Sequence, residues 1–422
     1  MPEPCCATEG GETYRLSEGG AAIERAIRLR AGGVARTRVR VERKKRHNSS
    51  EQNLADDFDR AFLGTAARPR VSASAREIRI VDLFSGCGAM SLGIWEAARA
   101  ISARLSPVMA LDSNEAALRV YEHNFPGVWP ISDPIESILD GELGTKASAS
   151  ESRLVERLGN VDVLVGGPPC QGHSNLNNHT RRSDPKNGLY DRMARFAELV
   201  GPTHLIIENV SAALHDRGKV VDRTIAHLRR LEYRIDSAVV EGLGVGVPQR
   251  RRRHFVVASR QYQPDIRGTV AAFTRRERNV RWAIGDLARV RRGRLFDQTG
   301  TPSATNSKRI EYLFKKKLFE LPDKMRPDCH RLAEHSYKSV YGRLHSDMPA
   351  QTITSGFVSM GQGRYVHPTQ RRTITPHEAA RLQFIPDFFD FDAVPTRTAL
   401  AEMIGNAVPP KLAYILGVHL LR

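Results

Sequence analysis

The sequence is short of cysteine and has no paired arrangement of it. Cys5, Cys6, Cys87, Cys170 and Cys329 are odd in number and contain no CxxC. A zinc knuckle and a disulfide framework are therefore not expected, and a reduced, cytoplasmic protein is. No run of about 18 apolar residues occurs, which argues against a membrane-spanning helix. Met1–Gly20 lacks the apolar stretch of a secretory signal. Acid is also scarce relative to base: 47 Asp and Glu face 64 Lys and Arg, giving a net charge of +17. Polyanions are the natural partners of such a chain, nucleic acid first among them. With 422 residues there is room for one large α/β domain and a smaller one.

Residues 1–75 are rich in Arg, Gly, Ala and Ser and carry a basic run, Arg36–Arg46. They show no core-forming pattern, so a largely disordered basic extension is expected, with a short helix around Ala21–Arg30. Strand-like runs then alternate with helical ones up to about residue 260. The predicted strands are Ile80–Leu83, Val108–Leu111, Val161–Val165, Leu205–Ile207 and Phe255–Ala258. The predicted helices are Met90–Ile101, Asn114–His123, Tyr190–Val200 and Asp222–Leu231. That rhythm predicts an α/β fold with a doubly wound, mostly parallel sheet. Residues 261–340 break it, with 18 Lys and Arg against 9 Asp and Glu, among them Arg275, Arg276 and Arg278. They read as a separate, smaller, irregular domain. Regular structure returns over 341–422 and ends in a helix at Lys411–Leu421.

Three segments carry chemistry. Asp82-Leu-Phe-Ser-Gly-Cys-Gly88 puts closely spaced glycines between a strand and a helix, where backbone N–H groups can approach an anionic ligand. Asp112, about 30 residues on, ends the next strand where such folds place the acid that holds a ribose. Val163-Leu-Val-Gly-Gly-Pro-Pro-Cys170-Gln-Gly delivers a thiol on a proline-stiffened loop at the carboxyl edge of the sheet. A buried structural cysteine is the bland alternative, and the Pro-Pro-Cys-Gln-Gly context argues against it. Leu205-Ile-Ile-Glu208 brings a carboxylate to the same edge, where partial desolvation would raise its pKa. Finally, Gln249-Arg-Arg251-Arg-Arg253 immediately precedes a buried strand, so alternate arginines must face the active edge.

Taken together with LDSNEAALRVYEHNFP, AIGDL, RLHSDMPAQTIT, TPHEAARLQ and IGNAVPP, these blocks resemble, in order, the motifs of the DNA (cytosine-5)-methyltransferase family of the bacterial restriction-modification type. The resemblance runs from Ile78 to Arg422, with 261–340 as its variable part. It implies the S-adenosylmethionine-dependent methyltransferase fold, with 76–260 as the catalytic domain, 261–340 as target-recognition domain and 341–422 completing the catalytic domain. It implies that Phe84, Gly86, Cys87 and Gly88 line the S-adenosylmethionine pocket. Asp112 would hold the ribose, Ser113 would lie near the adenine, and Asp133 would meet its amino group. Leu189, Asn406 and Val408 would complete the pocket. Cys170 matches the nucleophile, Glu208 the acid at cytosine N3, and Arg251 and Arg253 the pair that holds the thiol loop and cytosine O2. His173 stands where the family more often has an aromatic residue. No metal is implied.

The implied partner is double-stranded DNA, with the enzyme a monomer in the cytoplasm beside the nucleoid that either shares its site with a cognate restriction endonuclease or works alone. A tRNA cytosine-5-methyltransferase is the nearest rival, and a catalytically silent DNA-binding module is the rival of another class. The Gln-Gly-His-Ser continuation of the thiol loop and the dedicated basic segment disfavour the first. The intact Cys170, Glu208 and arginine pair disfavour the second.

Overall fold

The computed structural model describes residues 11–41, 51–169, 188–216, 218–289, 293–331 and 339–422. Cys170 and His173 lie outside the described residues, as do Arg43–Arg46.

At the centre stand β4 (Glu77–Leu83), β5 (Arg104–Leu111), β6 (Trp129–Ile131), β7 (Val163–Gly166), β8 (His204–Asn209), β9 (Arg234–Glu241) and β10 (Arg252–Ser259). They form one sheet in the order β6-β5-β4-β7-β8-β10-β9. All neighbours are parallel except that β10 runs antiparallel to both β8 and β9. The order reverses between β4 and β7, and the crevice outside the carboxyl ends at such a switch point is where ligands bind in doubly wound sheets.

Period-two alternation explains why the central strands read as unbroken apolar runs. Ile80, Val165, Ile206 and Val257 join the core on one face, while Val81, Leu164, Ile207 and Val256 join the core on the other. Both faces are covered by helices, so the middle positions of these strands are apolar on both sides, and polar residues such as Asp82, Glu208 and Asn209 come towards the strand ends.

The first core lies under α2 (Ala89–Ala100), α3 (Glu115–Asn124) and α13 (Pro410–Leu421). The second lies under α4 (Ala149–Leu158), α5 (Leu189–Val200) and α6 (Val220–Arg230). The last helix docks closely on α2 because Gly93 has no side chain. A Cβ there would sit 2.3 Å from the Pro410 carbonyl oxygen. The remaining helices are α1 (Glu51–Leu63), α7 (Ile266–Ala272), α8 (Val280–Ile284), α9 (Ala304–Lys315), α10 (Asp328–Arg331), α11 (Pro376–Leu382) and α12 (Arg397–Asn406).

Two expectations are corrected. The described part of the N-terminal segment is folded rather than disordered: β1 (Glu12–Leu16), β2 (Ala22–Arg28) and β3 (Val34–Arg40) form an antiparallel sheet backed by α1. The predicted helix at Ala21–Arg30 is strand β2. Ile23, Ile27, Ala35 and Val39 face inward with Tyr14, and Leu54, Phe58 and Phe62 of α1 join the same core. The arginines at 36, 38 and 40 hid a regular alternation, since they occupy the exposed face of β3. The inner face also holds Glu12, Arg25 and Thr37, polar residues that do not look like core.

The second correction concerns the boundary at 261. Ile266, Phe273, Val280, Ile284 and Phe296 belong to the main core. A separate small cluster gathers Ile310, Leu313, Leu321, Val340, Tyr341, Met360 and Val366, so the satellite unit starts later and ends later than 261–340. Charge density misled the reading, because Arg275 and Arg278 are spent on acids of the N-terminal segment rather than presented to solvent.

Candidate active site

The antiparallel β10 decides the site. Its amino end lies at the same edge as the carboxyl end of β8, with Phe255 opposite Glu208 and His254 opposite Asn209. Arg253, one residue earlier, therefore reaches Glu208, and its Nε donates to Oε1 at 2.8 Å. Glu208 is 8% exposed. Burial pushes its pKa up, and Arg253 and then Arg251 oppose that rise. The carboxyl is thus held between a buried acid and an ion pair, which suits a group that shares a proton.

Beside it runs the segment that leads into Cys170. A Cβ on Gly167 would lie 3.3 Å from Glu208 Oε2, and one on Gly166 would lie 2.6 Å from Met193 Sδ and 2.7 Å from the Leu83 carbonyl. Two glycines are what allow this strand end to pass so close to the carboxylate and to α5. Asn209 Nδ2 donates to the Pro168 carbonyl at 3.3 Å, tying the end of β8 to the first of the two prolines.

Arg251 and Arg253 divide their work. Arg251 is 1% exposed, and its guanidinium donates to the carbonyls of Ile353 (2.8 Å) and Gly405 (3.2 Å). Gln249, also buried, donates to the Leu382 carbonyl at 2.9 Å and to Gln383 Oε1 at 2.6 Å, and accepts from the Ile353 amide at 2.9 Å. Both residues lock the start of β10 to the C-terminal return. Arg251 thus reaches the backbone of the return, whereas Arg253 pairs with Glu208.

The residues expected around the cofactor collect at the ends of β4, β5 and β6 and the start of α5. The turn after β4 has Phe84 at φ 57°, Gly86 at φ 53° and Gly88 at φ 91°. The Gly86 amide donates to Asp112 Oδ2 and the Asn114 amide to Oδ1, both at 2.8 Å, so the acid after β5 fixes the turn after β4. Each oxygen keeps a second lone pair for a ligand hydroxyl. Burial raises the Asp112 pKa against those two hydrogen bonds. Phe84 and Leu189 are half-buried and pack on the edge of the second core, while Ser113 and Asp133 are exposed. Half-exposed apolar groups beside a ribose-type acid fit an adenosine with a thioether or sulfonium arm.

Besides Gly86, three of the expected residues offer little side chain to a ligand. Cys87 is buried in the first core, its thiol pushed up to about 12 by burial. Gly88 has no side chain and caps α2, and Val408 is buried in the same core. Asn406, at the end of α12, is exposed.

Sequence reasoning missed two groups. Asp82 is 1% exposed and accepts from Ser91 Oγ at 2.6 Å, which in turn accepts from the Tyr121 hydroxyl at 2.7 Å. Burial lifts its pKa to about 7. Its place at a strand end before the glycine turn was the available signal. Tyr190 is buried, its hydroxyl has no hydrogen-bond partner among the described residues, and Glu208 adds to the burial that raises its pKa. Nothing in the Leu189-Tyr190 pair separates it from an ordinary core aromatic.

The C-5 cytosine-specific DNA methylase family model matches residues 78–422. The chain belongs to this family. Its activity is that of the family, methyl transfer to C5 of cytosine in DNA. Among curated relatives, the Type II methyltransferase M1.BsuMI of Bacillus subtilis is 44% identical over 403 residues, covering 96% of this chain and 94% of its own. The Type II methyltransferase M.DdeI of Desulfomicrobium norvegicum is 27% identical, over 80% of this chain and 87% of its own. Among solved structures, the S. pombe Dnmt2 methyltransferase shares the fold at a TM-score of 0.57 and 15% identity, covering 82% of this chain and 98% of its own. The Entamoeba histolytica methyltransferase EhMeth does so at 0.52 and 17%, over 82% and 98%. The family match starts at the first strand of the central sheet, whereas the M1.BsuMI match covers 96% of the chain. No helix among the described residues is long and apolar enough to cross a membrane.

Proposed function

We propose that Cys170 is the nucleophile of this reaction, Glu208 its acid at cytosine N3, and Arg253 the residue that orients Glu208 and meets cytosine O2. The observation that carries the reading is the Arg253–Glu208 pair at 2.8 Å, set against the Gly-Gly-Pro-Pro segment that ends in Cys170.

Cytosine C5 is too weak a nucleophile to take a methyl group unaided. The Cys170 thiolate adds to C6 while Glu208 gives its proton to N3, so C5 gains enamine character. When bound, S-adenosylmethionine supplies an electrophilic methyl group on a sulfonium. That methyl group would pass to C5 as its bond to sulfur breaks and S-adenosylhomocysteine leaves; loss of the C5 proton to a base then lets the electron pair expel the Cys170 thiolate from C6, and N3 returns its proton to Glu208. Asp112 would hold the ribose, Asp133 and Ser113 would lie by the adenine, and Phe84 and Leu189 would pack on the apolar arm. A paired base cannot reach Cys170, so the target is extruded from a duplex. The satellite unit around α9, whose Lys315, Lys316 and Lys317 are exposed, is the part that reads the surrounding sequence. The reading includes a monomeric, cytoplasmic enzyme that shares its site with a restriction endonuclease.

Two assays test it. Duplex DNA carrying 5-fluorocytosine should trap a denaturation-resistant adduct, because fluorine cannot leave as a cation, and Cys170→Ser should abolish both adduct and turnover. Tritium from labelled S-adenosylmethionine should enter duplex DNA and not tRNA. Normal turnover by the serine variant would sink the nucleophile, and label in tRNA alone would sink the substrate.

A further inference from the structure

Two acids of the N-terminal segment grip the same two pieces of chain. Asp59 on α1 accepts from Lys411 Nζ, at 3.1 Å to Oδ1 and 3.0 Å to Oδ2, and from Arg278 at 2.8 Å to Oδ2. Glu12 on β1 pairs with Arg275 at 2.5 Å and accepts from the Tyr414 hydroxyl. Each acid therefore bridges one residue of the 275–278 segment and one residue on the first turns of α13. Positions 411 and 414 share a helix face, which is what lets two acids meet them side by side. Asp59, Arg278 and Lys411 are 2%, 2% and 3% exposed.

What the gripped pieces do sets the meaning of the clamp. Arg278 Nη1 donates to the Gly246 carbonyl at 3.0 Å, and the Arg275 amide donates to the Gly244 carbonyl at 2.8 Å. That turn leads straight into Gln249, Arg251 and Arg253. Lys411 opens α13, three residues beyond Val408 and five beyond Asn406. So the arms of Asp59 end on the turn that feeds the arginine strand and on the joint that follows the cofactor-side segment.

Such buried charges contribute little net stability compared with apolar side chains of the same volume, because desolvation offsets their attraction. Burial lowers the Lys411 pKa, while Lys411 and Arg278 hold Asp59 well below the usual carboxylate range. What a network of this kind supplies is a fixed geometry.

We infer that Asp59, seconded by Glu12, is a positioning residue for methyl transfer: it holds the Gly246 turn and the Lys411 joint in register, so that Arg253 faces Glu208 while Asn406 and Val408 close the cofactor pocket. The inference rests on the site assignment proposed above. It makes the N-terminal sheet and α1 part of the working enzyme rather than an appendage.

The test uses full-length protein and two readouts, the Kd for S-adenosylhomocysteine by calorimetry and kcat for DNA methylation. Asp59→Asn should raise Kd about tenfold and lower kcat about tenfold, a change of about 1.4 kcal/mol each. Lys411→Gln, cutting only the arm to the joint, should raise Kd and leave kcat at saturating cofactor within about threefold. Arg278→Gln, cutting only the arm to the turn, should lower kcat and leave Kd within about twofold. A merely structural role reduces the folded fraction, which lowers the binding stoichiometry and apparent kcat but leaves Kd unchanged. Unchanged Kd in Lys411→Gln, together with unchanged kcat per folded molecule in Arg278→Gln, would therefore overturn the inference even if Asp59→Asn does not fold. Wild-type protein that binds S-adenosylhomocysteine but methylates no DNA would instead sink the catalytic assignment, and the Kd arm would still decide the clamp.

Discussion

Replacing Arg253 by methionine removes the cation that Glu208 meets at 2.8 Å and keeps most of the side-chain volume. Burial already raises the Glu208 pKa, and Arg253 is the largest of the influences that pull it back. A charge-assisted hydrogen bond is worth about 1.5–3 kcal/mol, so losing it lets the Glu208 pKa rise further. The sign follows from which form works. If Glu208 must carry a proton for N3, activity is lost as pH rises through its pKa, so the alkaline limb of the pH–rate profile belongs to it. Removing Arg253 disfavours the carboxylate and moves that limb upward. The rate at the optimum should also fall by about 10²-fold or more, because a donor aimed at developing charge is lost. Tritium transfer to duplex DNA, measured as kcat across about pH 5.5–9.5 for both proteins, reads both effects. A smaller folded fraction lowers the whole curve without moving its limb. An alkaline limb that stays in place while the rate falls would refute the coupling and leave Arg253 a substrate contact only.

Further outcomes are expected. Glu208→Gln should lower kcat by about 10²–10⁴-fold with DNA affinity retained, since the amide cannot donate the acid proton; near-normal kcat in a turnover assay would reduce Glu208 to a structural acid. Gly166→Ala should destabilise the fold by about 1–3 kcal/mol, because its Cβ would press on Met193 and the Leu83 carbonyl, whereas Gly167→Ala should keep its Tm and lose kcat by crowding Glu208. Equal Tm losses in the two would undo that distinction. Burial holds His204 and His254 at about 4, below the usual value of about 6.5, so the unfolded chain binds these protons first. Stability should therefore be full above pH 6.5 and decline as pH falls towards 4, by up to about 3 kcal/mol per histidine; a Tm that is flat across that window would contradict it.

The sequence by itself determined the central sheet and the identity of the chemistry. Val81, Leu164 and Ile207 are apolar because the middle of a strand covered on both faces favours apolar side chains, so their runs announce strands buried on both faces without any tertiary information. The glycine turn, Asp112, the Pro-Pro-Cys170 loop and Glu208 all fall at strand ends, which is why their spacing alone points to one edge. Only the tertiary structure decided how the parts meet. The apolar run of β10 carries no mark of its direction, yet its antiparallel entry is what brings Arg253 to Glu208 and turns Arg251 towards Gly405. The N-terminal sheet was illegible for a related reason. Its inner face buries Glu12, Arg25 and Thr37 alongside apolar residues, and a buried charge reads as surface until its partner is known. Two partners of Glu12, Arg275 and Tyr414, lie more than 250 residues further along the chain. Local pattern reports what each segment needs to bury, and the pairing of charges across the fold is set by long-range contacts that no local pattern contains.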